Sequence, residues 1–490
     1  MDLPVVPVPV RGERRGGRPF RVTTDTRIVV GDDPMAVATA VLLATRLGYE
    51  LGEPVSVTNE DDGSGVVELR IVTEPRRLPV PSTLAPELTV EAYRLEVDAD
   101  RVVVTALDAR GLLRGLATVE QLARRSSSGL TVPPVLVVDQ PRFAWRGLCV
   151  DLARHWFGPE TLRLLVGLLY SMKLNTLHLH LTDDQGWRLD SPSYPALTEL
   201  SGRTAVGGDS GGFLSTGQYG ALVTFAAARG ITVVPEIDLP GHVNAALHAC
   251  PELTPGGEGR PAYTGVGVGF SRLHVELPAT LPFISGVLRD VAEITPGPYV
   301  HIGGDEALTM HAAEYDHLVR HAADVVTGAG KTLVGWQEVV RAPLPPGSLI
   351  QYWDERDSDA AVAAAVEAGA RVVLSPASRM YLDMRYDPTT PMGSDWAGYI
   401  DLRRAYEWEP SALLPVPEEA IAGIEAAIWT ENVRTHRDLF GLLLPRLAAA
   451  AEVAWSPRGR LDFDGFTQRV RRLTPRWEAQ GLPWHRPALA

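Results

Sequence analysis

The chain has 490 residues, 45% of them hydrophobic and 22% charged, which is the composition of a folded globular protein long enough for two domains. Its formal net charge of -14 opposes binding to nucleic acid phosphates or anionic lipid, and no dense run of Lys and Arg provides a local exception. Cys149 and Cys250 are far apart and outside any CxxC spacing, which argues against a disulfide framework and a cysteine-rich metal site. We therefore expect a neutral ligand.

No apolar run in the sequence reaches transmembrane length, because the most apolar stretch, 442–455, is interrupted by Arg446 and Glu452. The amino-terminal segment has Asp2 and several prolines where a signal peptide would carry positive charge followed by an apolar helix. We expect a protein that does not span a membrane. Its location stays open between the cytosol and secretion with the signal removed.

The first part of the chain predicts a small α+β domain over residues 1–141. It contains short strand-like runs and one helical segment, and all 11 tryptophans lie at or beyond Trp145. The predicted strands are 27–30, 66–72, 93–97 and 101–106, and the predicted helix is 109–125. Prolines at both ends of 133–141 favour an extended connection into the next domain.

Residues 142–490 predict a (β/α)8 TIM barrel, because compact apolar strands alternate with helices. The eight strand candidates are 148–150, 176–181, 232–237, 299–302, 332–336, 349–353, 372–374 and 423–429. Pro159 suits the first turn of a helix over 160–172, and Gly230 suits the end of a helix after 225–229. The predicted fold class is therefore α/β, with the barrel as the catalytic domain.

Polar and aromatic residues gather after the predicted barrel strands. Parallel strands present their carboxyl ends to one face of a barrel, and catalytic residues cluster on that face. The residues at these strand ends are Arg154, Asp183, Asp238, His242, Asp305, Glu306, Trp336, Trp353, Tyr381, Asp383, Trp429 and Glu431.

The most informative segment is VHIGGDEA, in which a strand passes through two glycines into Asp305 and Glu306. An isolated Asp-Glu pair is more often a solvated turn. Most glycosidases place two carboxyl groups across the bond, ~5 Å apart or ~6.5–9.5 Å apart. Side chains of adjacent residues diverge from an extended backbone, so this pair suggests a division of labour on one sugar.

Five motifs in order along the barrel make the sequence resemble glycoside hydrolase family 20, the β-N-acetylhexosaminidases. They are HLHLTDDQGWR, VVPEIDLPGH, HIGGDEA, SPASRMYLDMRY and AAIWTENV. In the first domain, ARGLLRGLATVEQL resembles the family's amino-terminal module more weakly. The resemblance implies exo-acting, retaining hydrolysis of terminal β-linked GlcNAc or GalNAc, without cofactor or metal.

In this family the 2-acetamido oxygen of the substrate attacks the anomeric carbon, so no enzyme nucleophile is needed. The resemblance implies that Glu306 is the general acid and base and that Asp305 holds the acetamido N–H. Tyr381 would donate to the acetamido oxygen. Asp183 and His242 match positions that support the acid/base.

The resemblance also implies a set of substrate-binding side chains. Trp336, Trp353 and Trp429 would surround the acetamido methyl; core packing is the commoner explanation for any single strand-end Trp, but the three together with Tyr381 favour the pocket. Trp396 would form a further wall of the sugar site. The residues that match positions gripping the 3-, 4- and 6-hydroxyls are Arg154, Asp383 and Glu431. For Arg154, an internal salt bridge with Asp151 is an equally good explanation.

Two other functions remain as alternatives. His178 and His180 lie on one face of a strand, as in some binuclear metal hydrolases, although further ligands are not evident. A barrel that binds amino sugars without cleaving them is the second alternative, because fold alone does not establish catalysis. The expected partner is an amino-sugar oligosaccharide or glycoconjugate. Tolerance of both gluco and galacto epimers is predicted, while oligomeric state and natural substrate are left open.

Overall fold

The computed structural model describes residues 3–61, 63–74, 78, 85–126, 129–356 and 359–489. Within these ranges the amino-terminal domain has ten short strands: β1 Arg11–Arg14, β2 Phe20–Val22, β3 Arg27–Val30, β4 Ser56–Thr58, β5 Val66–Ile71, β6 Tyr93–Val97, β7 Arg101–Ala106, β8 Arg124–Ser126, β9 Gly129–Val132 and β10 Val135–Asp139. Its helices are α1 Pro34–Leu51, α2 Pro86–Thr89 and α3 Ala109–Leu122.

Seven of these strands form a mixed sheet in the order β1-β10-β6-β7-β5-β3-β4, and β2, β9 and β8 form a small antiparallel sheet. Helix α1 begins where Asp33 accepts hydrogen bonds from the backbone N–H groups of Met35 and Ala36, and Gly52 ends it at φ 78°. Both features are strong local helix signals.

Two predictions for this domain are corrected. The proposed connection 133–141 contains strand β10, which pairs with β1 on one side and β6 on the other. The prolines at positions 133, 134 and 141 lie outside β10, so the five residues of the strand keep their backbone N–H groups for the sheet. The predicted helix 109–125 ends at Leu122, because Arg124–Ser126 pairs with β9 instead.

The second domain is a closed parallel barrel, as predicted. Its strands are β11 Trp145–Asp151, β12 Thr176–His180, β15 Thr232–Glu236, β16 Tyr299–His301, β17 Thr332–Trp336, β18 Leu349–Tyr352, β19 Arg371–Leu374 and β20 Ile421–Ile428, with β13 Thr182–Asp183 and β14 Gly186–Trp187 forming a small hairpin after β12. All eight predicted strands are present, with ends shifted by a few residues.

Helices surround the barrel: α4 Gly158–Ser171, α5 Ala196–Ser201, α6 Thr216–Ala227, α7 Asn244–Ala249, α8 Thr280–Ile294, α9 Ala312–Gly328, α10 Asp359–Glu367, α11 Ala377–Met380, α12 Leu402–Tyr406, α13 His436–Leu443, α14 Arg446–Trp455, α15 Phe463–Val470 and α16 Thr474–Ala479. Pro159 lies in the first turn of α4, as predicted. Among the described residues, no helix is long and apolar enough to cross a membrane.

The two domains share a buried interface. Trp455, at the end of α14, packs into the core of the amino-terminal domain. Lys173 extends from the barrel to Asp139 on β10, with 2.7 Å between Nζ and Oδ2, and both side chains are fully buried. The interface therefore holds charged groups as well as apolar ones.

Candidate active site

Asp305 and Glu306 lie at the carboxyl end of β16, beyond Gly303 and Gly304. Both glycines have positive φ, 68° and 103°. Glu306 also has φ 45°, a conformation that a residue with a side chain seldom adopts. Backbone strain of this kind is typical of functional sites, where the surrounding fold holds it in place.

The glycines allow Asp238 to lie directly beneath this loop. A Cβ atom on Gly303 would come within 1.7 Å of the Asp238 Oδ1 atom, so any other residue there would displace the carboxyl group. The backbone N–H of Gly304 donates to the same oxygen at 3.2 Å. The absence of a side chain at Gly303 is therefore what lets the Asp238 carboxyl group lie against this loop.

His242 connects the two adjacent carboxylates to Asp183. Its Nε2 atom lies 3.4 Å from Glu306 Oε2 and 3.7 Å from Asp305 Oδ2. Its Nδ1 atom lies 3.2 Å from Asp183 Oδ1. Asp183 in turn contacts the Arg154 Nη2 atom at 2.7 Å. These five predicted site residues form one connected group.

The charged groups of this cluster shift one another's pKa values. Burial alone would lower the pKa of His242, but the Asp183 and Asp305 carboxylates outweigh it and hold the pKa well above its usual value. Burial would raise the pKa of Asp183, yet Arg154 and His242 keep it well below its usual range. Burial raises the pKa of Asp305 to about 6, with His242 opposing the rise and Glu306 adding to it. The His242 imidazolium thus lies between the Asp183 carboxylate on one side and the Asp305–Glu306 pair on the other.

Aromatic side chains form a box beside the carboxylates. The Trp353 and Tyr381 rings stack at an interplanar angle of 11°, with 6.1 Å between centroids, and Tyr381 meets Trp429 edge-on at 5.9 Å. Trp396 is 56% exposed and lies edge-on against Trp353 and Tyr381. Trp336 has no exposed surface and contacts the box through Trp429, at 5.7 Å. The structure therefore brings together all five aromatic residues that the sequence indicated.

The three residues predicted to bind sugar hydroxyls lie near one another. Arg154 forms the internal pair with Asp151 that the sequence allowed as an alternative, at 3.4 Å, and approaches Glu431 to 3.9 Å. Asp383 accepts a hydrogen bond from the backbone N–H of Trp429 at 3.3 Å. Burial, with a contribution from Glu431, raises the pKa of Asp383 well above its usual range.

Three acids in or beside the site were given no role by the sequence. Asp238 lies two residues beyond β15, and the sequence placed it at a strand end without assigning it a function. Asp184 accepts hydrogen bonds from the Asn244 backbone and the Ser271 hydroxyl. Glu338 accepts from Trp353 Nε1 at 3.2 Å, and burial raises its pKa to about 8, with the Asp305 charge adding to the rise. Only three-dimensional contacts identify Asp184 and Glu338.

The two histidines of the metal-hydrolase alternative are directed at protein carboxylates. His180 contacts Glu236 through Nδ1 at 2.6 Å and Asp183 through Nε2 at 2.9 Å. His178 contacts Glu425 through Nδ1 at 2.8 Å and lies 3.0 Å from Glu236 through Nε2. This arrangement gives both imidazoles a hydrogen-bonding role inside the barrel, while the absence of a metal cofactor stays a prediction.

With the site defined, comparison with known proteins identifies the family. The family model described as glycosyl hydrolase family 20, catalytic domain, matches residues 143–458, and the model of domain 2 of the same family matches residues 2–140. The chain belongs to glycosyl hydrolase family 20. As a member of this family it is a glycoside hydrolase with β-N-acetylhexosaminidase activity.

Relatives across the whole chain support the family 20 assignment. A β-N-acetylhexosaminidase of Cellulomonas fimi is 51% identical over 487 residues, which covers 99% of this chain and 96% of that protein. The family 20 enzyme of Streptomyces coelicolor superimposes with a TM-score of 0.92 at 39% identity, covering 99% of this chain and 97% of that one. The Streptomyces plicatus enzyme, solved with thio-NAglucal, has a TM-score of 0.92 at 38% identity and covers 99% and 96%.

Proposed function

We propose that this family 20 enzyme removes single β-linked GlcNAc or GalNAc residues from non-reducing ends, with the acetamido oxygen of the substrate as nucleophile. The observation that carries the proposal is that Asp305 and Glu306 both approach one imidazole nitrogen, Nε2 of His242. They are adjacent and anchored on one side, which suits two tasks on one sugar better than attack from opposite faces.

Glu306 is assigned the proton transfers. It gives its proton to the glycosidic oxygen as the bond from that oxygen to C1 breaks, and the acetamido oxygen bonds to C1 in its place. In the second step Glu306 takes a proton from water as the water oxygen bonds to C1 and the oxazolinium ring opens. Two displacements at C1 retain the β configuration.

Asp305 and Tyr381 are assigned to the acetamido group. The Asp305 carboxylate accepts from the acetamido N–H and stabilises the positive charge of the oxazolinium ring. Burial raises the pKa of Tyr381 well above its usual value, with Asp305 and Asp383 adding to the rise, so the hydroxyl keeps its proton for donation to the acetamido oxygen. Trp353, Trp429 and, behind them, Trp336 enclose the acetamido methyl.

Exo action is assigned to Arg154, Asp383 and Glu431. The Asp383 Oδ2 atom is buried and has no hydrogen-bond partner among the described residues, which suits an acceptor for a sugar hydroxyl. Glu431 accepts from a second hydroxyl, and the Arg154 guanidinium, 3.9 Å from Glu431 Oε1, donates to a sugar hydroxyl beside it. Carboxylates can accept from an axial or an equatorial hydroxyl, so both gluco and galacto epimers are accommodated.

We also propose residues 1–141 and 142–490 as the two domains, and an amino-sugar oligosaccharide or glycoconjugate as the substrate. Relatives have been solved with GlcNAc as product, which agrees with this substrate class.

A matched pair of substrates tests the mechanism. The 4-nitrophenyl β-glycosides of GlcNAc and glucose differ in the acetamide alone, and we expect kcat/KM to fall by several orders of magnitude for the glucoside. Proton NMR of the first product should show the β anomer. Equal rates for the two glycosides, or an α product, would contradict the mechanism while leaving the family assignment intact.

A further inference from the structure

The inference concerns Glu236, a buried acid at the end of β15 that neither the sequence analysis nor the proposed mechanism uses. Its side chain is fully buried in the barrel. The Oε1 atom accepts from Trp336 Nε1 at 2.8 Å, and the Oε2 atom lies 2.6 Å from His180 Nδ1. One carboxylate therefore holds an indole and an imidazole that belong to different parts of the site.

The imidazole side leads to the acid/base. From Glu236 Oε2 the contacts run through His180 to Asp183 at 2.9 Å, then to His242 at 3.2 Å and to Glu306 at 3.4 Å. Burial would lower the pKa of His180, but Glu236 and Asp183 hold it well above its usual value. Carboxyl and imidazole groups alternate along this chain, so each link orients the next.

The indole side leads to the acetamido pocket. Trp336 contacts Trp429 at 5.7 Å, and Trp429 contacts Tyr381 at 5.9 Å. The bond from Trp336 Nε1 to Glu236 fixes the rotation of the indole, and with it the back of the aromatic box. A shift of the carboxylate would therefore move the pocket as well as the proton-transfer chain.

We infer that Glu236 is a positioning residue that holds the acetamido pocket and the acid/base chain in one geometry. The inference rests on the proposed function, in which the acetamido oxygen must reach C1 while Glu306 reaches the leaving oxygen. The acetamido pocket and the acid/base chain, the two arms of this network, must both be correctly placed at once. A misplacement of ~1 Å costs on the order of 100-fold in rate. A single buried carboxylate that anchors both arms meets this requirement.

Glu425 provides a matched control. It is also fully buried on a barrel strand, and it also contacts His178 and an indole N–H, here that of Trp145 at 2.7 Å. Gln351 donates to it at 2.9 Å. Trp145 begins β11, at the opposite end of the barrel from the site. Glu425 is linked to Glu236 through His178, so replacing it disturbs a similar buried network that lies one residue further from the acetamido pocket and from the acid/base chain.

The experiment measures two ratios of kcat/KM, which do not depend on the fraction of folded enzyme. The first compares 2,4-dinitrophenyl with phenyl β-N-acetylglucosaminide and reports proton transfer to the leaving group. The second compares N-acetyl with N-propionyl 4-nitrophenyl glycosides and reports the acetamido pocket. We expect Glu236→Gln to shift both ratios by about tenfold or more, because the neutral amide cannot accept from both partners as the carboxylate does.

The other variants should separate the arms. Asp183→Asn is expected to shift the leaving-group ratio, Trp336→Phe to shift the acyl ratio, and Glu425→Gln to shift neither by more than about twofold. A Glu236→Gln enzyme with both ratios unchanged, with only one changed, or with the same pattern as Glu425→Gln would overturn the inference.

If Glu236→Gln does not fold, Glu236→Asp replaces it. The shorter side chain keeps the charge but cannot reach both partners, so the same double shift is expected, and normal ratios would overturn the inference. Failure of the proposed function gives a different result, because the wild-type enzyme itself would then hydrolyse the glucoside as fast as the N-acetylglucosaminide.

Discussion

Buried charged groups at the domain interface and in the active site differ in how completely they are hydrogen-bonded. At the interface, Asp139 accepts from Lys173 at 2.7 Å, from Tyr93 at 2.9 Å and from Trp455 at 3.0 Å. Glu91 accepts from Arg114 and Arg146, both at 2.7 Å. Burial would raise the pKa of Glu91, but these two guanidinium groups lower it to about 2. These acids are thus fully matched by donors.

The active site leaves several buried polar atoms without a hydrogen-bond partner among the described residues. They include Asp238 Oδ2, Asp305 Oδ1 and Asp383 Oδ2. Such atoms cost stability unless a ligand satisfies them. This difference indicates that the interface contributes to stability and that the active site has polar atoms available for substrate. Mutations at the interface should therefore lower the free energy of unfolding with little effect on kcat, and mutations in the active site should do the reverse.

The largest effect is expected in the active site. Glu306→Gln removes the proton donor, so kcat should fall by ~10²–10⁴-fold, or about 3–5 kcal/mol in the barrier, and more for poor leaving groups. Steady-state kinetics with a series of aryl β-N-acetylglucosaminides measures this. The free energy of unfolding should stay near the wild-type value. A loss of stability without a steeper leaving-group dependence would contradict the role of Glu306.

At the interface a mutation should lower stability and leave kcat unchanged. Lys173→Met leaves the buried Asp139 carboxylate without its cation and should lower the free energy of unfolding by about 3–5 kcal/mol. Urea denaturation followed by fluorescence measures the loss, while kcat of the folded enzyme should be unchanged. The control is Arg11→Met, which breaks the exposed Arg11–Glu13 pair and should cost less than about 1 kcal/mol. Equal losses in the two variants would refute the distinction.

Asp305→Asn should combine lost activity with gained stability. The pKa of Asp305 is raised from 3.8 to about 6, so ionising this group in the folded protein has a cost that is complete above pH 6 and absent below about pH 4. The variant should therefore be more stable than wild type by about 1–3 kcal/mol at pH 8, and the gain should vanish near pH 4.

The comparison with Asp183→Asn tests the sign of this effect. The pKa of Asp183 is held well below its usual value, so its ionised form stabilises the fold above about pH 4, and this stability is lost as the pH falls. That variant should be less stable than wild type at pH 8. If both variants change stability in the same direction, the charge pattern described for the site is wrong.

The smallest effect is expected for Asp383→Asn. An amide still accepts one hydrogen bond from a sugar hydroxyl, so KM should rise by about tenfold or less while kcat changes little. Kinetics with the GlcNAc and GalNAc aryl glycosides, side by side, would measure the change for each epimer. A large fall in kcat with unchanged KM would place Asp383 in the chemistry instead of in substrate binding.

Local sequence signals predicted most of the fold and many of the residues that the structure brings together in the candidate active site. Apolar strands with polar residues at their carboxyl ends predicted the barrel, and the GGDE segment predicted that Asp305 and Glu306 lie together at the end of a strand. The sequence did not identify residues whose role depends on partners that are distant along the chain. Glu236 appeared as an ordinary strand residue because Trp336 is 100 positions away, and strand β10 appeared as a connection because β6 lies about 40 residues earlier.

The position of Trp455 also bears on how the protein is made. Residues 3–140 leave the ribosome first, yet the hydrophobic cluster of the amino-terminal domain includes the indole of Trp455, which follows the last barrel strand in the sequence. Domains commonly fold in order of synthesis. Here the first domain cannot complete its core until residue 455 has emerged, so it must wait, partly assembled, for nearly the whole barrel to be translated.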